Sequence, residues 1–207
     1  MNLKNCVLSI AALAVAAPAF AAPITPGGTL FIAPGEPDPF IGSTLLASQT
    51  LGFGTAFYTG TLTSVVLTGD ATNPFGMNAL TFVYVLRNDQ TSQNALARLT
   101  VNGYTGFLTD ASWNNVFPGI DPLFIDRQVN GDSLGFSFSN ALGHSLVVPG
   151  GTSTALVIQT NATQFTTNIA NVIDGAVTQV GTYSPVPTPG AAALAGLGLL
   201  AATRRRR

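Results

Sequence analysis

The spacing of turn formers constrains this chain more than any other feature. Between residues 22 and 184, Thr72 to Pro74, Asn102–Gly103, Asn130–Gly131, Pro149 to Gly151 and Asp174–Gly175 interrupt the sequence at short intervals. These are residues that reverse a pleated chain, by left-handed backbone or by side-chain bonds to their own backbone. Segments that read as strands lie between them: Thr61 to Leu67, Leu80 to Arg87, Ala97 to Tyr104, Leu134 to Phe138, Ser145 to Val148, Ala155 to Thr160 and Ala176 to Tyr183. Leu134, Phe136 and Phe138 alternate with Gly135 and Ser137, and Ala97, Leu99 and Val101 alternate with Arg98 and Thr100. That period of two is what a sheet with one buried face requires. The expectation is an all-β fold, a two-sheet β-sandwich of jelly-roll or immunoglobulin-like kind, occupying 22–184 as one domain. Nineteen glycines, twelve phenylalanines and abundant Thr and Val in that span agree with it.

Phe165, Ile169, Val172 and Ile173 recur at a helical spacing, so a short helix competes there. Thr163, Thr166, Thr167, Asn168 and Asn171 favour extended chain instead, because their side chains compete with helical backbone bonds, and Asp174–Gly175 then turns into the last strand. Pro23 to Pro39 carries five prolines and reads as an irregular surface arm, with Leu30 to Ile32 docking as an edge strand. No internal repeat is visible.

Residues 1–21 read as a secretory signal peptide: Lys4 supplies the positive start, Val7 to Ala17 the apolar run, and Ala19 and Ala21 the small-residue cleavage site. The expected mature start is Ala22. The single cysteine, Cys6, leaves with the leader, so the mature chain has no disulfide, thiolate metal site or cysteine nucleophile. The 22–184 body holds nine carboxylates against Arg87, Arg98 and Arg127 and no lysine, a formal charge of −6. A mildly acidic body argues against nucleic acid as a partner.

His144 is the one histidine, and Gly143 to Ser145 carries no nucleophile motif around it, so it reads as a loop residue. Asp110, Asp121, Asp126 and Asp132 are numerous enough to supply a glycosidase pair, but their contexts are those of turns. Asp126, Asn130 and Asp132 place oxygen ligands in one loop, a weak calcium candidate whose spacing departs from the EF-hand pattern; no other metal or cofactor is expected. Trp113 beside Asn114 and Asn115 is the best local hint of a glycan contact, by ring stacking with amides for hydroxyls, with core packing as the competing role.

Residues 185–207 give an address. A proline-rich linker is followed by an apolar run, Gly190 to Thr203, and by Arg204, Arg205, Arg206 and Arg207. As a helix the run would reach about 21 Å, short of a hydrocarbon core of about 30 Å, so it suits a transient span, a membrane-sorting helix held by arginines that stay cytoplasmic. An ordinary short C-terminal anchor is the other reading. The order of blocks resembles the PEP-CTERM sorting signal of exported proteins in Gram-negative bacteria, with the usual Pro-Glu-Pro replaced by Pro187, Thr188 and Pro189 after Val186. The resemblance covers only the tail. It implies export by the secretion machinery, transient inner-membrane insertion, cutting by an exosortase-type membrane protease, and release to the cell surface or extracellular matrix, where such proteins associate with exopolysaccharide and biofilm. The expected role is structural or adhesive and non-enzymatic. A carbohydrate-binding module on the same address is the alternative, and a secreted hydrolase the least supported.

Overall fold

The structure is a computed structural model that describes residues 23–31 and 38–186. The leader with Ala19 and Ala21, part of the proline-rich arm, the motif from Pro187 to Pro189, the apolar run and Arg204 to Arg207 lie outside the described residues. Within them there is no helix. The strands are β1 (Thr29–Leu30), β2 (Thr44–Gly54), β3 (Thr59–Thr68), β4 (Thr81–Asn88), β5 (Arg98–Val101), β6 (Thr109–Asn114), β7 (Phe124–Arg127), β8 (Leu134–Ser137), β9 (Ala155–Thr160), β10 (Phe165–Asp174) and β11 (Ala176–Pro185).

They form two antiparallel sheets, one of six strands in the order β1-β7-β8-β5-β10-β11 and one of five in the order β2-β3-β4-β9-β6. The sheets are not closed into a barrel, and one core is shared between their inner faces, an arrangement consistent with a sandwich. Alternation decides which side chains enter that core. Leu62 and Val66 of β3, Phe82, Tyr84 and Leu86 of β4, and Leu156 and Ile158 of β9 come from the five-stranded sheet; Leu99, Val101, Ile125, Leu134, Phe136, Ala170 and Val172 come from the other.

Three tyrosine hydroxyls inside this core are paired across the layers. The Tyr84 and Tyr104 hydroxyls lie 2.7 Å apart, and Tyr84 also donates to the Tyr183 carbonyl at 2.9 Å. Tyr58 donates to the carbonyls of Val172 and Ala176 at 3.0 and 2.9 Å. Burial raises the pKa of Tyr84 and lifts that of Tyr104 well above the ordinary phenol value, so both stay protonated donors. At one end of the core Arg127 is buried without a carboxylate; its guanidinium donates to the carbonyls of Ile24, Tyr104, Phe107 and Gly131 and to the Thr109 hydroxyl. Desolvation lowers its pKa, and the ring of acceptors satisfies the charge in place of an acid.

The segment with helical spacing is strand β10, joined to β11 through Gly175 at φ 62°, with Asp174 opposite Ala176. The expected strand from Ser145 to Val148 is corrected: only Val147 bridges, to Leu96. Residues before it are consumed in turns, with Leu142 at φ 55° and Gly143 at φ 81°, and Asn140 Oδ1 accepting from Leu146 N at 3.1 Å. Ala97 to Tyr104 is shortened to Arg98–Val101, because Gly103 adopts φ 97° and swings Tyr104 into the core. Three strands, β2, β6 and β7, were not read from the sequence. The edge strand expected over Leu30 to Ile32 is met only at Leu30: β1 spans Thr29–Leu30 and pairs with β7, Leu30 facing Ile125, while Phe31 lies beyond it and Ile32 lies outside the described residues.

Candidate functional site

A concave feature with a mainly apolar lining lies on the outer face of the five-stranded sheet, over β2, β3 and β4. Residues one removed from the core face supply its floor: Thr63 and Val65 of β3, and Val83 and Val85 of β4. Leu45 and Ser48 of β2 form one wall, and the groove encloses about 460 Å³. The opposite rim is two aromatic rings brought from distant loops, Phe40 and Phe117, 5.7 Å apart and edge to face at 79°.

Both rim loops are shaped by local side-chain bonds. Asp38 Oδ1 accepts from Phe40 N at 2.8 Å, and Asn114 Oδ1 accepts from Val116 N at 2.6 Å. Each is an Asx turn, in which a short polar side chain stands in for a backbone turn. Below the groove Leu67, Val83, Ala155 and Val157 make a second buried cluster with Phe40, Val65 and Val116 against it. The five-stranded sheet is therefore apolar on both faces over β4 and β9. None of the nine side chains lining the groove is an acid, a base or a thiol.

A polar station closes the end of the same face. Asp70, 1 % exposed, accepts from Thr72 N and Oγ1, Thr81 Oγ1 and Gln159 Nε2 at 2.7–2.9 Å. Four donors satisfy this carboxylate, which ties the β3–β4 connection to β9. A second hollow, of about 280 Å³, lies between Pro23 to Pro26 and Phe107 to Thr109 with Arg127 beneath it. The guanidinium there is already committed to carbonyls on every nitrogen.

The residues singled out from sequence are not assembled by the fold. Trp113 points inward from β6 and is 1 % exposed, so its ring is part of the core and offers no stacking platform. Its neighbours divide the work: Asn114 holds the turn that presents Phe117, and Asn115 is exposed. Asp126 lies on the outer face of β7, paired to Arg98 at 2.7 Å. Asn130 Oδ1 accepts from Asp132 N at 3.0 Å, and Asp132 Oδ1 accepts from Thr105 Oγ1 at 2.9 Å. The calcium trio is thus spread over a strand face and a turn, and among the described residues no three His, Cys, Asp or Glu side chains gather as a metal site. Asp110 sits on β6 and Asp121 in the β6–β7 loop, so the four aspartates are distributed along the chain's path. Burial raises the Asp121 pKa, while the charge of His144 and a bond from Thr154 oppose the rise. Sequence reading missed that electrostatic influence, since the two residues are far apart in the chain.

The groove was missed because it is built from the strand positions that alternation assigns to solvent. One signal for it was present: Val65-Val66-Leu67 and Phe82-Val83 break strict alternation, as strands buried on both faces do. Among the described residues no helix is long and apolar enough to cross a membrane. Val186, which precedes the proline motif and is the last described residue, donates its N–H to the Gln164 carbonyl at 3.0 Å. No family model matches the chain, and neither a characterised protein nor a solved structure is detectably similar to it.

Proposed function

We propose that this is an exported cell-surface or extracellular-matrix protein with a structural or adhesive role, a jelly-roll or immunoglobulin-like sandwich delivered by its C-terminal tail and associated with exopolysaccharide or biofilm. The observation that carries the reading is the order of blocks after β11. The last ladder pair sets Phe165 against Pro185, and Pro187, Thr188 and Pro189 follow within four residues. Folded body, proline motif, apolar run and arginine stop therefore succeed one another without a spacer, which would hold the body at the membrane while a membrane protease reads the motif. An outer-face groove lined by no acid, base or thiol supports contact over proton-transfer chemistry. The carbohydrate-binding alternative draws no support from Trp113, whose ring is in the core.

The test is fractionation with intact mass analysis of the wild type and two tail variants. Neutralising Arg204 to Arg207 should weaken membrane retention, because the stop is removed. Changing Pro187 and Pro189 to alanine should leave the chain membrane-bound and uncut, because the motif is lost while the stop remains. Surface-released protein that still carries its whole C-terminus would refute the sorting reading in favour of a plain anchor.

A further inference from the structure

The two flanks of the sandwich end differently, and one of them is built for pairing. We propose that the flank formed by β2 and β11 is a self-association surface on which a second copy of this chain docks strand to strand, extending both sheets at once.

β2 is bonded only to β3, and β11 only to β10, so each presents one edge of N–H and C=O groups without a ladder partner among the described residues. These edges are long, eleven and ten residues. They lie on the same side of the molecule: Leu51 Cδ1 lies 2.8 Å from where a Cβ on Gly181 would stand, and Thr178 Oγ1 donates to the Gly54 carbonyl at 3.2 Å. Exposed edges of this length are ordinarily blunted by lysine, by proline within the strand, by inward charge or by a covering segment. Here β2, β3 and β11 contain no charged residue, and β10 has one, Asp174 at its turn end. A bulge between Leu45 and Ala47 protects only the start of β2 and leaves Ala47 to Gly54 in regular register. Leu45, Leu46, Leu51, Ile169 and Val177 are exposed apolar side chains along the same strands.

The identity of the partner follows from geometry and charge. Two stacked edges need a partner with two stacked edges of matching length, which a single extended peptide does not provide. Antiparallel pairing is self-complementary, and one two-fold axis normal to the layers brings β2 onto its counterpart and β11 onto its counterpart together. Charge selects the same flank. In a body of formal charge −6, contact between two copies is disfavoured wherever aspartates face one another, and this flank is free of them away from the β10–β11 turn.

The inference does not rest on the sorting role. It is tested with the full-length chain in density-matched neutral detergent, by sedimentation over a concentration series. The wild type should approach twice the chain mass. Thr50→Lys with Gln179→Lys places like charges near the two-fold on both strands and should return single-chain mass, with an unchanged far-ultraviolet dichroism spectrum showing that the fold persists. Mixing chains that carry both lysines with chains that carry Thr50→Glu and Gln179→Glu should restore the doubled mass, a rescue that loss of folding or association through the terminal segments would not produce. The inference is overturned by a wild type that stays at single mass, by a doubled mass indifferent to both lysines, or by a dimer that Val85→Lys in the outer groove breaks while the edge variants spare it.

Discussion

The covered flank of the sandwich and the open one solve the same problem by different means. On the covered flank the six-stranded sheet ends in β1, two residues long, laid on β7 by the N-terminal arm. The arm is latched by Ile24, whose N–H donates to the Thr109 carbonyl and whose side chain is 2 % exposed, while its own carbonyl accepts from Arg127. Backbone, side chain and a buried guanidinium together leave little edge to pair with. On the open flank β2 and β11 keep their outer edges and are held from inside, by the hydroxyls of Tyr58 and Tyr84 reaching the carbonyls of Val172, Ala176 and Tyr183. One flank spends polar groups on closing an edge, and the other spends them on positioning edges that stay available. A chain that needed only to be a stable monomer would have reason to close both.

The comparison breaks most severely at Arg127. Arg127→Met removes the donors for three buried carbonyls, the half-buried Phe107 carbonyl and the Thr109 hydroxyl, and each buried group left unpaired costs about 1–3 kcal/mol. We expect more than about 3 kcal/mol lost in a urea titration. A loss below about 1 kcal/mol would mean that water replaces the guanidinium and that the covered flank is not closed by it. Ile24→Ala should follow, at about 2–4 kcal/mol, since it empties a core position and loosens the arm. Limited proteolysis should then cut within 23–31 faster than elsewhere.

Tyr84→Phe strikes the open flank from inside. It deletes the hydroxyl that bridges Tyr104 and the Tyr183 carbonyl, for an expected loss of about 1–3 kcal/mol. The two buried phenols have pKa values raised above those they take when unfolded, so their contribution is complete below about pH 10 and is lost as pH rises through the folded values. The wild type should therefore lose stability steeply above about pH 10, and Tyr84→Phe less steeply. Identical alkaline slopes for the two proteins would sink the assignment of that loss to the tyrosine pair.

How much of this was legible depended on which face a residue serves. Strands set off by clear sequence signals, such as β8 and β9, could be read directly, because a period of two runs through Leu134 to Phe138 and the run Ala155 to Thr160 is bounded by turns. β6 could not: Thr109–Asn114 contains Asp and Asn, which strands disfavour, and becomes a fully buried strand only because β9 pairs with it. β2 escaped notice for the reverse reason, as its Leu, Ser, Thr and Gly follow no core pattern on a strand that is mostly exposed. At the level of sites the limit is sharper. Trp113 could be read as platform or as core because sequence does not reveal that parity turns it inward, and the pairing of Arg127 with carbonyls has no sequence signature at all, since those acceptors are backbone atoms from three separate segments.

The smallest effect is also the most discriminating, because it concerns access instead of stability. Thr178→Ala removes one half-exposed bond between the open edges and should cost less than about 1 kcal/mol. Its readout is amide hydrogen exchange. In dilute protein the amides of Ala47 to Gly54 and of β11 that point away from their one ladder partner have only solvent to bond, and they should exchange near the rate of an unprotected chain. Amides of β7 should be protected, since β7 lies between β1 and β8. Thr178→Ala should speed exchange near Gly54 and leave β7 unchanged. Raising the concentration then separates the two explanations for slow exchange on the open flank: protection that grows with concentration comes from a second copy on the edge, whereas protection already present in dilute protein would mean that the edge is closed within one chain and that the contrast between the flanks is wrong.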